Sequence, residues 1–367
     1  MWYHPARLRI LLDYRPALRQ PTGVGGYAHH LALALQAQLG EGDALTLFSS
    51  SWKDRLPLYA VAGASSLDLR LPVRLLNLAW HRLEWPPVES LGAVVDVTWS
   101  LHPLLMPSRR AAQFVTVHDL YFLDRPDDTA REVRRDYPAL AGAHARRATG
   151  VIVNSEYTRD QVTSRLQVPS ERVTVCHPGA PAWPRRAGPS ARGPILHVGT
   201  IEPRKNVGAV LAAYAELLRR QPSAPPLVFA GRTTGPLPAG PSGVRWLGYI
   251  TDDERLRLYR EASMLVIASA DEGFGIPALE AMTIGVPVVA AARGSLPEVV
   301  GEAGLLVDAD DPRALAAAMQ RVLEEDLLRA ELADRGVARA RRFNWGASAA
   351  RLLEAFRAGL ARRGRDA

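Results

Sequence analysis

Apolar residues fall along this chain in short dense runs, separated by longer stretches of amphipathic spacing. That alternation is what strands and helices taking turns produce. In the first half, Leu8–Asp13, Ala44–Ser49, Ala93–Thr98, Phe114–Val117, Gly150–Val153 and Val173–Cys176 read as strands. Tyr27–Leu39, Thr129–Arg147 and Tyr157–Leu166 read as helices, and Pro21–Gly26 as a loop. The second half repeats the scheme. Its expected strands are Ile195–Val198, Leu227–Ala230, Val244–Leu247, Leu265–Ala268, Val286–Ala290 and Leu305–Val307. Its expected helices are Val207–Arg220, Asp253–Glu261, Pro277–Thr283, one or two over Pro312–Arg341, and a last one over Ala347–Leu360. Such text predicts an α/β fold with parallel sheets covered on both faces.

Residues Pro178–Pro194 shift to Pro, Gly, Ala, Ser and Arg, the composition of a linker. With 367 residues, two domains are the natural division. The expected boundaries are 1–180 for the first Rossmann-like domain, 195–345 for the second, and 346–367 for a closing helix.

A formal charge of +7 points to anionic partners, whether nucleic acid, an anionic membrane or phosphorylated substrates. No basic stripe with interleaved aromatics appears, so nucleic acid is not expected. Only Lys53 and Lys205 are lysines, every other strong base being arginine. Lys205 therefore stands out as a compact ammonium suited to phosphate. The single Cys176 excludes an intrachain disulfide and any Cys-based metal site, which fits a reducing cytoplasm, and its apolar neighbours suggest a buried strand residue. The apolar run near Leu8 is too short for a signal peptide. No run approaches the ~20 apolar residues of a membrane helix, so any membrane contact is expected to be peripheral.

Ligands of doubly wound sheets bind beyond the carboxyl ends of strands. Four segments there carry unusual residues. Thr22-Gly23-Val24-Gly25-Gly26-Tyr27-Ala28 offers close backbone approach ahead of a helix, or a structural turn. His118, in Val117-His118-Asp119, could bond a substrate or steady a developing charge; it could equally be a packed histidine satisfied by backbone. Arg204 and Lys205, in GTIEPRKN (199–206), form a diphosphate clamp at a helix start, the alternative being a solvated basic pair. Asp271-Glu272-Gly273-Phe274-Gly275-Ile276-Pro277 exposes the amides of Phe274, Gly275 and Ile276 at a helix N-terminus. Glu272 and Glu280 could then accept hydrogen bonds from sugar hydroxyls, or one could merely cap the helix.

Glu272 and Glu280 form E-x7-E inside EGFGIPALEAMTIGVPVVA. With GTIEPRKN, HD (118–119), NSEYTRD (154–160), TGVGGYA (22–28) and the closing FNWGASAARLLEAF (343–356), the chain resembles retaining glycosyltransferase family 4 over nearly its whole length. The resemblance implies the GT-B fold, two Rossmann-like domains facing across a cleft, with the last helix returning to the N-terminal, acceptor-binding domain. It implies that Arg204 and Lys205 bind the diphosphate and neutralise it as it leaves. Glu272 would hold donor-sugar hydroxyls, Glu280 the ribose, and Gly273 with the backbone of Phe274–Ile276 the sugar and phosphate. His118 would touch the sugar near the reacting carbon, and Gly25 or Gly26 would let the first half approach the β-phosphate. The base would lie near Gly231, Arg232, Tyr249 and Ile250. The donor would be GDP-mannose or a UDP-hexose, the acceptor a glycan or lipid-linked hydroxyl, and no cofactor or metal would be required. The place would be the cytoplasm, at the inner face of the cell membrane. His177-Pro178-Gly179-Ala180 departs from the Asn-Gly common in relatives at the hinge.

Other classes remain open on the sequence. A GT-B-like sugar-nucleotide epimerase would bind a similar ligand. An NAD-dependent oxidoreductase would want an acid at the end of Ala44–Ser49, and none is there. A non-catalytic sugar-nucleotide binder would be expected to lose Lys205, Glu272 or His118.

Overall fold

The computed structural model describes residues 7–19, 23–57, 59–129 and 131–366. Pro21 and Thr22 of the glycine-rich segment, Leu58 and Ala130 lie outside the described residues.

The chain forms two compact units, one of residues 1–179 together with 344–367, the other of residues 180–343. Unit 1 is built on seven parallel strands: β1 (Arg9–Asp13), β2 (Ala44–Ser50), β3 (Ser65–Leu69), β4 (Val97–Ser100), β5 (Ala112–Val117), β6 (Gly150–Val153) and β7 (Val173–Val175). Their order across the sheet is β3-β2-β1-β4-β5-β6-β7. Unit 2 has six: β8 (Ile195–Val198), β9 (Leu227–Ala230), β10 (Val244–Trp246), β11 (Met264–Ile267), β12 (Val288–Ala291) and β13 (Leu305–Val307), in the order β10-β9-β8-β11-β12-β13. Both sheets reverse their strand order once, between β1 and β4 and between β8 and β11. At such a reversal, neighbouring strands send their following loops to opposite faces and leave a crevice at the carboxyl edge.

Central strands are buried throughout, which is why they read as continuous apolar runs. Each unit carries its own apolar core. The last helix, Trp345–Asp366, belongs to unit 1, where Phe356 packs edge-on against Phe114 and Trp99 at ring separations of 4.8 and 5.8 Å.

Three local readings change. The helix expected from Tyr27 runs over Val24–Gln36, so Gly25 and Gly26 sit buried in its first turn instead of in a loop. The strand expected at Ala93–Thr98 is Val97–Ser100, because pairing with β1 starts at Ile10↔Val97 and Val94 is exposed. The strand Ser65–Leu69 and the helix Val73–Leu83 had no counterpart in the sequence reading.

Candidate active site

In unit 2 the strands β8 and β11 lie side by side, Leu196 paired with Leu265. The loop after β8 and the loop after β11 therefore leave the sheet at the same place. The first loop is held by a parallel bridge between Ile201 and Thr233, with Ile201 N–H donating to Arg232 O at 2.6 Å. It then makes a single 3-10 turn, Pro203–Lys205, before the helix Val207–Arg220. The second loop is tied by Ser295, whose backbone N–H and Oγ both donate to Glu272 O at 3.0 and 2.8 Å. The chain turns through Gly275 at φ +95° into the helix Ile276–Ile284. A Cβ on Gly275 would lie 2.8 Å from Leu296 Cδ2, so glycine is required for space as well as for backbone angle.

These loops bring Arg204, Lys205 and Glu272 together. Lys205 Nζ donates to both carboxylate oxygens of Glu272, at 2.7 and 3.0 Å. Arg204 lies 3.7 Å from the same carboxylate and donates to Asp271 O at 3.3 Å and to Glu202 Oε1 at 3.1 Å. Lys205 and Glu272 are buried and Arg204 is half-buried. Burial alone would raise the Glu272 pKa, but the charges of Lys205 and Arg204 outweigh it and hold the carboxyl below its ordinary value. Nearby, His197 Nδ1 donates to Val266 O at 2.9 Å, and burial keeps the ring neutral by lowering its pKa to about 4. The basic pair is thus neither solvated nor idle. Two cations meet two carboxylates, Glu202 and Glu272, beside the opening amides of a helix, the polar end that favours anions.

Glu280 sits in a second nest. Tyr259 Oη donates to it at 3.0 Å and Arg255 approaches at 3.3 Å, with Arg255 also over the ring of Trp183. Burial dominates here, raising the Glu280 pKa to about 7 despite Arg255 and Tyr259. Sequence reading named neither partner. Both lie on the helix Asp252–Glu261, one turn apart, and their i, i+4 spacing on one face was the available signal.

The resulting pH dependence has a definite sign. Between about pH 4.5 and 7 the folded chain keeps a proton on Glu280 that the unfolded chain has lost, so stability falls as pH rises through that window. Glu280→Gln removes the effect. Its melting temperature is expected to gain on the parent's as pH goes from about 5 to about 8, over a span of at most about 3 kcal/mol. Parallel curves would show Glu280 ionised throughout.

Gly231 and Arg232 follow β9, and the guanidinium of Arg232 stacks 4.7 Å from the ring centre of Tyr249, next to Ile250. Both Arg232 and Tyr249 are exposed, a platform able to meet a planar group.

In unit 1, His118 follows β5. Its Nε2 bonds to Leu101 O at 3.1 Å and Tyr27 packs edge-on at 5.2 Å. Burial lowers its pKa, so the ring is neutral with Nδ1 as its acceptor. That favours accepting a bond from a hydroxyl over steadying negative charge. Cys176 is buried, its thiol pushed up to about 12, and so unreactive.

Unit 1 also holds a cavity of about 180 Å³ at the carboxyl edge of β1, β2 and β4, lined by Asp13, Arg15, Ser51, Asp54, Asn77 and His102 among others. Arg15 reaches Asp13 at 2.6 and 2.7 Å and Asn77 at 2.9 Å, while His102 approaches Asp13 at 3.2 Å. Burial would raise the Asp13 pKa, but these partners drive it well below the usual carboxylate range. Sequence reading did not find this group, since its members are scattered over ninety residues. Among the described residues, no cluster of three or more His, Cys, Asp or Glu side chains could hold a metal ion.

Comparison with known proteins bears on the family and the fold. Residues 21–183 match the family described as Glycosyltransferase Family 4, and residues 192–325 the one described as Glycosyl transferases group 1. The chain is 28% identical to the O-antigen chain mannosyltransferase B of Escherichia coli, over 95% of this chain and all of that protein. It is 34% identical to the D-inositol 3-phosphate glycosyltransferase of Thermobispora bispora, over 59% of this chain and 57% of that one. In fold it is similar to sucrose-phosphate synthase from Thermosynechococcus elongatus, with a TM-score of 0.74 at 21% identity, covering 95% of this chain and 98% of that one. It is also similar to WaaG, a glycosyltransferase involved in lipopolysaccharide biosynthesis, with a TM-score of 0.69 at 17% identity, covering 95% and 99%.

Proposed function

Since the chain belongs to glycosyltransferase family 4, has the GT-B fold and is a hexosyltransferase using a nucleotide sugar, we propose that it moves mannose from GDP-mannose to a glycan or lipid-linked hydroxyl. In this reading the anomeric configuration is retained and no metal is needed. The observation that carries it is the convergence of Arg204 and Lys205 on Glu272 beside the first turn of the helix Ile276–Ile284. The match to an O-antigen chain mannosyltransferase supports the sugar and a polysaccharide acceptor.

The chemistry follows from charge. The anomeric carbon–oxygen bond breaks, its electron pair passes to the diphosphate, and positive charge spreads over the sugar ring. Lys205, Arg204 and the helix amides act where the negative charge grows, and fixed groups of this kind are worth several kcal/mol to a transition state. Glu272 holds Lys205 in place beforehand and accepts from sugar hydroxyls; Glu280 serves the ribose, and the Arg232–Tyr249 platform the base. The acceptor oxygen joins the anomeric carbon on the face the diphosphate leaves, and its proton passes to the departing phosphate oxygen. His118 accepts from a sugar hydroxyl. Gly25 and Gly26 put no side chain on the first turn of the helix Val24–Gln36, where a phosphate would approach. The unit 1 cavity, rich in fixed donors and acceptors, suits a hydroxyl-bearing acceptor group. An acceptor carried on lipid would place the enzyme at the inner face of the cell membrane. No helix of the described residues is long and apolar enough to cross a membrane.

Release of nucleoside diphosphate is the test, measured with GDP-mannose, UDP-glucose, UDP-N-acetylglucosamine and GDP-fucose in the presence of a chelator. GDP-mannose is expected to turn over fastest, giving an α-linked product by NMR. Binding without release from any donor, given plausible acceptors, would make the chain a non-catalytic sugar-nucleotide binder.

A further inference from the structure

The helix Val73–Leu83 has two apolar faces. Leu76 and Trp80 turn inward onto Phe48 and Leu11, and Asn77 and Val73 line the unit 1 cavity. The outer strip follows at i, i+3 and i+4 spacing. Leu71, Leu75 and Leu78 are 40, 63 and 47% exposed, and Leu83 and Trp85 beyond them 71 and 60%. Five of the large apolar side chains left in solvent thus come from one stretch of fifteen residues, which sets it apart from the scattered exposure of ordinary surfaces.

Its charge is one-sided. Arg70, Arg74 and Arg82 are exposed, and no Asp or Glu occurs from Arg70 to Leu83. Glu84, the first acid after them, is bound by both terminal nitrogens of Arg147. Outward leucines, a tryptophan at the end and flanking arginines are what a helix lying in a bilayer interface uses. The apolar chains enter the acyl boundary, the indole sits at headgroup level, and the arginines extend to anionic headgroups.

We propose that the outer face of the segment Arg70–Trp85 docks the enzyme onto an anionic lipid surface. The geometry also gives the docking a purpose, because the opposite face of the same helix walls the cavity that a lipid-linked acceptor would enter. Only that last link rests on the proposed function; the docking itself needs no transfer chemistry to be observed.

Cosedimentation of the full chain with vesicles tests it. Binding to vesicles containing phosphatidylglycerol is expected to exceed binding to pure phosphatidylcholine at least about tenfold, and to weaken in high salt. Leu75→Glu with Leu78→Glu should lower it at least about tenfold with only a small shift in melting temperature, since about half or more of each side chain already faces water. Leu75→Met with Leu78→Met should keep it. Failure of the parent to bind, or equal binding by the Glu variant, would overturn the proposal. So would light scattering that shows a parent dimer and a monomeric Glu variant, because a second copy of the chain would then be the occupant. None of these results depends on nucleotide-sugar turnover.

Discussion

Lys205→Ala lowers nucleoside-diphosphate release from the donor by about a hundred- to a thousandfold, the range seen when one fixed donor to a developing charge is removed. From the sequence alone, the loss would fall on turnover and spare the fold. The geometry changes that expectation. Lys205 is also the nearest counter-charge of the buried Glu272, at 2.7 Å, and Arg204 stands a full ångström farther away at 3.7 Å. Removing one partner of a buried pair leaves an uncompensated charge, which typically costs about 3–5 kcal/mol. Unit 2 should therefore melt earlier at neutral pH. It should recover part of the loss on acidification, as Glu272 takes up a proton. The two effects separate in the pair Lys205→Met with Glu272→Gln, which should regain stability and not rate. Turnover of Lys205→Ala within about twofold of the parent, with the melting shift present, would make the residue structural and end its assignment to the diphosphate.

Gly231→Ala is expected to cost unit 2 about 3 kcal/mol or more and to abolish donor binding. Gly231 has φ +151° and a Cβ there would stand 1.9 Å from Gly199 O. The neighbouring backbone cannot yield cheaply. Gly199 N–H donates to Ala230 O at 3.0 Å and Gly231 N–H to Gly248 O at 2.8 Å, so relief breaks the edge from which the Arg204–Lys205 loop departs. Chemical denaturation and nucleotide titration measure both consequences. Gly208→Ala is the contrast, because Gly208 lies within the helix Val207–Arg220 and an added methyl would meet nothing within 4 Å. Alanine there should stabilise by a few tenths to about 1 kcal/mol. Equal melting of Gly231→Ala and the parent would show that the loop tolerates displacement.

Unit 2 was legible nearly residue by residue: Ile195–Val198, Leu227–Ala230, Val207–Arg220 and Leu305–Val307 stand as read. Their strands are short apolar runs bounded by turn residues, and the central ones are buried on both faces, so pattern and environment agree. Unit 1 hid more. The strand Ser65–Leu69 is at the sheet edge and half in water, so its composition is polar. The helix Val73–Leu83 carries a regular apolar period, with Leu76 and Trp80 on its buried side, that the sequence reading passed over. At the site, the spacing of the sequence could nominate Arg204, Lys205, Glu272 and Glu280. It could not tell which cation meets which acid, since that depends on β8 lying beside β11. Arg255 and Tyr259 went unseen although their i, i+4 spacing was there to be read, and the Asp13–Arg15–His102 group because β1 lying beside β4, and not chain order, brings His102 to Asp13.

The chain leaves unit 1 at Gly179 and re-enters it at Asn344, and the two crossings are bound together by Ala180 N–H donating to Phe343 O at 3.0 Å. Unit 2 is therefore an insertion whose ends meet. On the ribosome, its own contacts can all form before residue 344 emerges. The seven-stranded unit, though first in synthesis, must wait with Phe114 and Trp99 uncovered until Phe356 arrives. The half that begins last is the half that can finish first, and the nascent chain's period of greatest exposure to aggregation falls on the surface that the final helix seals.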